Sequence, residues 1–431
     1  MHAANSSLLR CCFGSGRLRQ MRFQQLRSGS TSPSADGANS SDGGSGGGGQ
    51  PDAGQPDAGG GGGQPDGGGG GGGQPDAGGG QDECAGLGLD AVAQPNGSAA
   101  LFAGRYDTCL VGSTDGSGTV ALIMENRFNG PPEAFTVHLL DSSGAERGSY
   151  VGYGTVLVEE LAGFELRNWD LQQGELAAID GKGSTVGTTG RVSEYFWLIV
   201  NDPLGGIVVA SVPSGSTSPN VVAAYDERVK LRWRTQLSST EEVLALGVDR
   251  QGNTLVLLDS AARYGTGTLG GIWVDHAGNA GAEFEAADGL SSPRAVTLTA
   301  RVGNGLFLQG GGAGSGWIRQ FDPMGQGSAP PDWLAARPAT KLHMARNGRA
   351  YAVIHPARLD AACHADIEVV APSGKSCGTA VFPADLNGPY CAGALTVGYD
   401  GTIIDLVGDK FVGDGTSSRY CNFHWWTGFL H

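Results

Sequence analysis

The stretch "VDRQGNTLVLL", Val248–Leu258, sets an Asp-x-x-Gly-Asn turn directly before a run of apolar and β-branched residues. A second copy, "VDHAGN", begins at Val274. Such a turn is open to two readings, a calcium loop or the corner of a hairpin. A calcium loop needs oxygen-bearing side chains at alternate positions, whereas "DRQGN" offers Asp249 and Asn253 with Arg250 between them. A corner needs less. Asp249 and Asp275 can accept hydrogen bonds from backbone NH groups two or three residues on, and Gly252 and Gly278 supply the positive φ of the bend. The corner is therefore the expectation.

Relatives of the segment recur along the chain: "NDPLGGIVVAS" from Asn201, "ARVGNGLFLQG" from Ala300, "ARNGRAYAVIH" from Ala345 and "GYDGTIIDLVG" from Gly398. Each is a polar turn followed by five to seven residues that alternate or are wholly apolar, the pattern of a half-buried or fully buried strand. The anchor glycines Gly205, Gly252, Gly303, Gly348 and Gly401 are spaced 47, 51, 45 and 53 residues apart. Gly118 in "DGSGTVALIM" and Gly154 in "GYGTVLVEEL" extend the series to seven. A second strand-and-turn motif follows each anchor, as in "GIWVDHAGNAG", "WIRQFDPMGQG" and "IEVVAPSGKSCG". Earlier examples are "FTVHLLDSSGAERG" and "FELRNWDLQQGEL". Helical periodicity is nearly absent, and the best helical candidate, "PDWLAARPATKLHMA", is interrupted by Pro338. Repeats of this length hold about four short strands, the signature of β-propeller blades. The expected fold is all-β: a propeller of about seven four-stranded blades, six being the other count, with two β-sandwich domains as the alternative. In that fold the "NTLVLL" type of strand is expected to be the innermost of its blade.

This part of the chain resembles secreted bacterial propeller proteins that carry Asp-x-x-Gly-Asn repeats. The resemblance does not extend to the "GH...WD" pair of one propeller family, and "STDGSGTV" from Ser113 departs from the Asp-box of sialidase-like blades at Ser117. It implies an exported, surface-held protein.

Composition divides the chain of 431 residues into three. Residues 1–35 are Arg- and Ser-rich, with five Arg and no acid before Ser30. Residues 36–83 hold eight acidic residues, no Lys or Arg and four "QPD" units among glycines. They bury too little apolar surface to offset chain entropy and are expected to form a disordered spacer, typically about 35 Å end to end. Residues 84–431 are globular material and carry the propeller. Gly tracts broken by Pro-Asp resemble the spacers of bacterial lipoproteins, which implies an envelope tether through the N-terminus. "LLRCC", Leu8–Cys12, approaches a lipid-attachment box but has Arg10 where a small residue is wanted. No secretory leader is recognisable, and a misassigned start is the expectation.

Six cysteines, Cys84, Cys109, Cys363, Cys377, Cys391 and Cys421, fall in the globular part, and none forms a CxxC. Structural disulfides are expected of them, with neighbours paired across gaps of 25, 14 and 30 residues, in an oxidising compartment. Zinc at Cys363, His364 and Cys377 is the lesser alternative. The localisation expected is therefore extracellular or cell-surface. A net charge of -15 and the lack of a Lys/Arg cluster argue against nucleic acid. No stretch approaches the length of a membrane span, and a monomer is expected.

No HExxH, GxSxG, Walker or Rossmann pattern occurs in the context its chemistry needs. No catalytic residue, metal ligand or cofactor is assigned. His343, His355, His364 and His424 gather in the last two blades, and exposed or hydrogen-bonded loop histidines are the expected reading. Trp169, Trp273 and Trp317 recur at blade-packing positions. "NFHWWTGFLH" places Trp425 and Trp426 on opposite faces of a strand. One is expected in the core and the other over the ring closure or exposed as a glycan-stacking residue, so the pair is the candidate ligand site. The functional expectation is a non-enzymatic surface binding or scaffold protein that meets a protein or glycan. The rival is a propeller enzyme (lyase, hydrolase or lactonase-like) with its site at the central channel.

Overall fold

The structure is a computed structural model. It describes residues 82–85 and 95–427 except 104–107, 127–133, 154–155, 161, 171–172, 193, 214–218, 311–315, 338–339, 346–347, 356–364, 383–393 and 412–418.

After strand β1 (Gly97–Ala103) the chain makes seven antiparallel meanders. Blade one holds β2 (Thr108–Thr114), β3 (Val120–Asn126), β4 (Ala134–Leu140) and β5 (Glu146–Tyr153). Blade two holds β6 (Val156–Glu160), β7 (Gly163–Asp170), β8 (Gln173–Ile179) and β9 (Thr185–Thr188). Blade three holds β10 (Glu194–Asn201), β11 (Ile207–Pro213), β12 (Val221–Tyr225) and β13 (Leu231–Gln236). Blade four holds β14 (Val243–Val248), β15 (Thr254–Asp259), β16 (Leu269–Val274) and β17 (Phe284–Ala287). Blade five holds β18 (Thr297–Ala300), β19 (Leu306–Gln309), β20 (Trp317–Phe321) and β21 (Gly327–Ser328). Blade six holds β22 (Lys341–Met344), β23 (Tyr351–Ile354), β24 (Ala365–Val370) and β25 (Ser376–Phe382). Blade seven has β26 (Ala394–Val397), β27 (Ile403–Phe411) and β28 (Arg419–Trp426), and its fourth strand is β1.

The first strands touch one another in series around an axis. β2 meets β6, β6 meets β10, β10 meets β14, β14 meets β18 and β18 meets β22, while β26 lies against β2. The molecule is a seven-bladed β-propeller, closed by β1 pairing with β28 from Gly97 opposite Trp425 to Ala103 opposite Arg419. Among the described residues helix is confined to two single turns, α1 (Ala261–Tyr264) and α2 (Asp332–Ala335). The second lies inside the one segment with a helical pattern and stops before Pro338.

The opening stretch explains itself at this level. Asp249 Oδ1 accepts the backbone NH of Gln251 at 2.8 Å and of Asn253 at 3.0 Å, and Gly252 bends at φ 81°. The side chain of Asn253 donates to Asp249 Oδ2 at 3.1 Å, which accounts for the Asn after the Gly. Asp275 repeats the pattern with Ala277, Asn279 and Gly278. Asp115, Asp141, Asp180 and Asp226 cap their turns through the same second and fourth NH groups. The Asp is a corner whose carboxylate is bound to its own backbone.

The strand after that corner is β15, and here the expectation needs correcting. β15 is the second strand of its blade, because β14 is the one that borders β10 and β18. Its "TLVLL" is apolar throughout because both faces are covered: Leu255 and Leu257 pack toward blade five, Val256 and Leu258 toward blade three. Seven apolar clusters result, one for each seam between neighbouring blades. Blade two departs from the expected phase as well. Its first hairpin turns at Gly163, φ 129°, and "FELRNWD" is its second strand, while Gly154 lies outside the described residues.

Neighbour pairing of cysteines is also corrected. Cys84 bonds Cys377 and Cys109 bonds Cys421, across 293 and 312 residues. Ring closure brings the chain ends together, so pairing follows space and not sequence order. With Cys377 in a disulfide, the zinc alternative loses a thiolate. Cys363 and Cys391 lie outside the described residues.

Candidate functional site

Strands alternate in direction, so every first-to-second and third-to-fourth turn opens on one face of the ring. That turn face is built mostly from five-residue corners such as 115–119, 180–184 and 249–253. The opposite, loop face carries connections of unequal length, from 171–172 to 355–364 and 329–340.

The central channel holds a cavity of 280 Å³ near the turn face. Val200, Leu246, Gly247, Leu298, Leu342 and Met344 give it an apolar wall; Glu159, Asn201, Thr299, His343 and Tyr399 add polar groups. Asn201 donates to the carbonyl of Glu159 at 2.9 Å and to Glu160 Oε1 at 3.0 Å, which ties blade three to blade two. Among the described residues no three His, Cys, Asp or Glu are grouped as metal ligands. A second hollow of 440 Å³ lies on the turn face between blades one and two, bordered by Asp115, Ser117, Arg147 and Lys182. Burial pushes the Asp115 carboxyl up, against hydrogen bonds from Thr119 and Ser117 that pull it down. Those bonds commit it to its own corner.

The expected ligand residues lie elsewhere. Trp425 is fully buried between blades seven and one, its Nε1 donating to the Ser142 carbonyl at 2.9 Å. Its ring fills the space that Gly97 and Gly144 leave by lacking side chains. Trp426 is 5% exposed, packed with Ile403 and Leu395 against blade six and edge-on to His424. The two rings do point to opposite faces of β28, but both faces are blade seams, so neither ring presents a stacking surface. Trp273 and Trp317 are likewise buried, at the seams of blade five.

The histidines separate. His343 borders the channel, and His355 pairs with Glu368 at 3.2 Å. Arg337 grips the same carboxylate through two nitrogens, at 2.9 and 2.6 Å. That grip holds Glu368 down at about 2, well below the usual carboxylate range. His364 lies outside the described residues.

Two buried acids were not expected from the sequence. Glu165 on β7 is 1% exposed, faces blade three, and neither of its carboxylate oxygens has a hydrogen-bond partner among the described residues. Burial, reinforced by Glu160, Asp226 and Glu227 and opposed by Arg232, pushes it up to about 9, so it carries a proton at neutral pH. Asp405 on β27 is 5% exposed, and burial pushes it up to about 7. Each sits on a second strand, where both faces of the sheet are covered.

No family model and no curated protein matches the chain. Among solved structures it is similar to the WD40 domain of Neurospora crassa Pan2, at 12% identity over 77% of this chain and 94% of that one, TM-score 0.46. It is similar to the WD40 domain of Toxoplasma gondii coronin, at 10% identity over 78% and 88%, TM-score 0.41. It is also similar to the β-propeller domain of the Trilobed protease from Pyrococcus furiosus, at 8% identity over 70% and 91%, TM-score 0.44. Likeness at this level speaks for neither binding nor catalysis.

Proposed function

We propose that the chain is a non-enzymatic binding or scaffold protein, exported to the extracellular space or cell surface, that presents a disulfide-closed propeller to a protein or glycan ligand. The observation that carries this reading is the channel wall, where Val200, Leu246, Leu298, Leu342 and Met344 are interleaved with Glu159, Asn201, Thr299, His343 and Tyr399, and Asn201 is spent on holding blade two through the Glu159 carbonyl and Glu160. Two disulfides, one on blade six and one in the closing seam, support an oxidising compartment. Among the described residues no helix is long and apolar enough to cross a membrane. In this reading residues 36–83 are the spacer that holds the propeller off an envelope, and the protein works as a monomer without cofactor.

The test is a paired screen of the purified oxidised protein. Glycan arrays and proximity labelling of intact cells should give saturable binding, while panels of lyase, hydrolase and lactonase substrates, with and without divalent metals, should give no turnover. Turnover lost in His343→Ala would overturn the reading in favour of the channel enzyme.

A further inference from the structure

Residues 82–85 lie against blade six, and each has its own hold there. Lys375 Nζ donates to Asp82 Oδ1 at 2.8 Å, Ser373 Oγ donates to Glu83 Oε2, Cys84 bonds Cys377, and Arg349 Nη2 donates to the Ala85 carbonyl at 2.9 Å. All these partners belong to the turn face of blade six: Ser373 and Lys375 in the turn before β25, Cys377 at the start of β25, and Arg349 in the turn before β23.

Thirteen residues after Cys84 the chain enters blade seven as β1. β1 is an edge strand, paired with β28 on one side only. Its first residue, Gly97, is at the turn face, level with Trp425. A pull on the N-terminal region delivered at Gly97 would act on the end of the ladder and open its hydrogen bonds one after another. Delivered at Cys84, the same pull bypasses β1 and passes through a covalent bond to Cys377 at the start of β25, itself the outer strand of blade six and paired with β24 from Ala365 opposite Phe382 to Val370 opposite Ser376.

We propose that the Cys84–Cys377 clip is a strain-relief anchor, which takes tension from residues 1–83 into blade six and keeps it off the strand that closes the ring. The proposal rests on reading residues 36–83 as a spacer that is pulled. Cys109–Cys421 has a different task, since it joins β2 to β28 within the closing seam itself and leaves β1 unclipped.

The experiment is single-molecule pulling of the full oxidised chain, with one handle at residue 1 and the other on an azido side chain at the exposed Arg228 of blade three. In wild type no release should precede unfolding of the blades. In Cys84→Ser/Cys377→Ser a low-force step should appear first, as residues 85–109 come free up to the second disulfide, a gain of about 90 Å at roughly 3.6 Å per residue. A second arm keeps both disulfides and moves the N-terminal handle to Asn96, downstream of the clip. The low-force release of β1 should return there, even if the double variant fails to fold. An identical first event in wild type and the double variant, or no low-force release from Asn96, would overturn the proposal. Because the measurement uses the isolated chain, it stands apart from whether the protein is tethered in cells. Finding it released into the medium would defeat the spacer reading and leave the mechanical result intact.

Discussion

The seam between blades three and four and the seam between blades seven and one do the same work with different means. In the first, Val208, Val222, Leu246, Val256 and Leu258 meet from one continuous stretch of chain, and the apolar contact is joined by a hydrogen bond from Thr235 to the Gly278 carbonyl. In the second, Val120 and Leu122 meet Ile404, Phe423 and Trp425 from the opposite end of the sequence. Bringing ends some 300 residues apart together costs about 5 kcal/mol of chain entropy. The closing seam answers with two links of its own, the Cys109–Cys421 bond and the β1 strand, beside inter-blade hydrogen bonds of the kind that local seams also carry, such as Thr114 Oγ1 on Asp400 Oδ1 at 2.5 Å. A repeated module specifies its neighbours locally. Closure of the ring has to be specified separately.

The sharpest way to break this contrast is to remove the closing bond. Cys109→Ser/Cys421→Ser should lose about 3 to 5 kcal/mol in urea unfolding, and hydrogen exchange should speed up first in β1, β28 and β2 while β11 and β15 stay protected. Uniform loss of protection would mean that the seams are energetically alike. Leu258→Ala is the matching lesion in the local seam. It should cost about 2 to 4 kcal/mol through its cavity, with no selective opening of β1.

The seam between blades two and three offers a third variant, since Glu165 interrupts its apolar contact. The folded protein keeps the Glu165 proton up to about pH 9, whereas the unfolded chain releases it near the ordinary value of 4.5. The stability contributed by that proton is therefore fully present below pH 4.5 and is lost as pH rises through about 9. The protein should accordingly lose on the order of a few kcal/mol between pH 5 and pH 9. Glu165→Gln should flatten that slope and unfold later than wild type at pH 9; an unchanged slope would contradict a buried neutral acid. The smallest expected effect is at the corner. Asp249→Ala removes two capping hydrogen bonds and the one from the Asn253 side chain and should cost about 1 to 2 kcal/mol, and calcium should leave the thermal midpoint of both proteins unchanged.

What was legible in the sequence follows the same division. Asp249 and Gly252 sit three residues apart in one turn, and Leu255 to Leu258 in the next strand, so local pattern carried the corner, the repeat and the blade count. Pattern could not tell a first strand from a second, because both flank the same hairpin, and "NTLVLL" was therefore placed at the axis. Glu165 lies between Phe164 and Leu166, which reads as the outward position of a strand with one wet face. In a stack of blades a second strand has none. The cysteine pairs and the burial of Trp425 depend on chain ends that meet only when the ring closes, so no spacing in the sequence encodes them. Of the candidate site, the channel was anticipated as a place, but its lining was not, since it is drawn from five inner strands and a turn of the seventh blade.

The most direct test of the closed ring is a peptide map of the unreduced protein by mass spectrometry. Closure of a seven-bladed ring by its first strand predicts a peptide containing Cys84 joined to one containing Cys377, and Cys109 joined to Cys421. Recovery of Cys84 joined to Cys109, with Cys421 joined elsewhere, would contradict it.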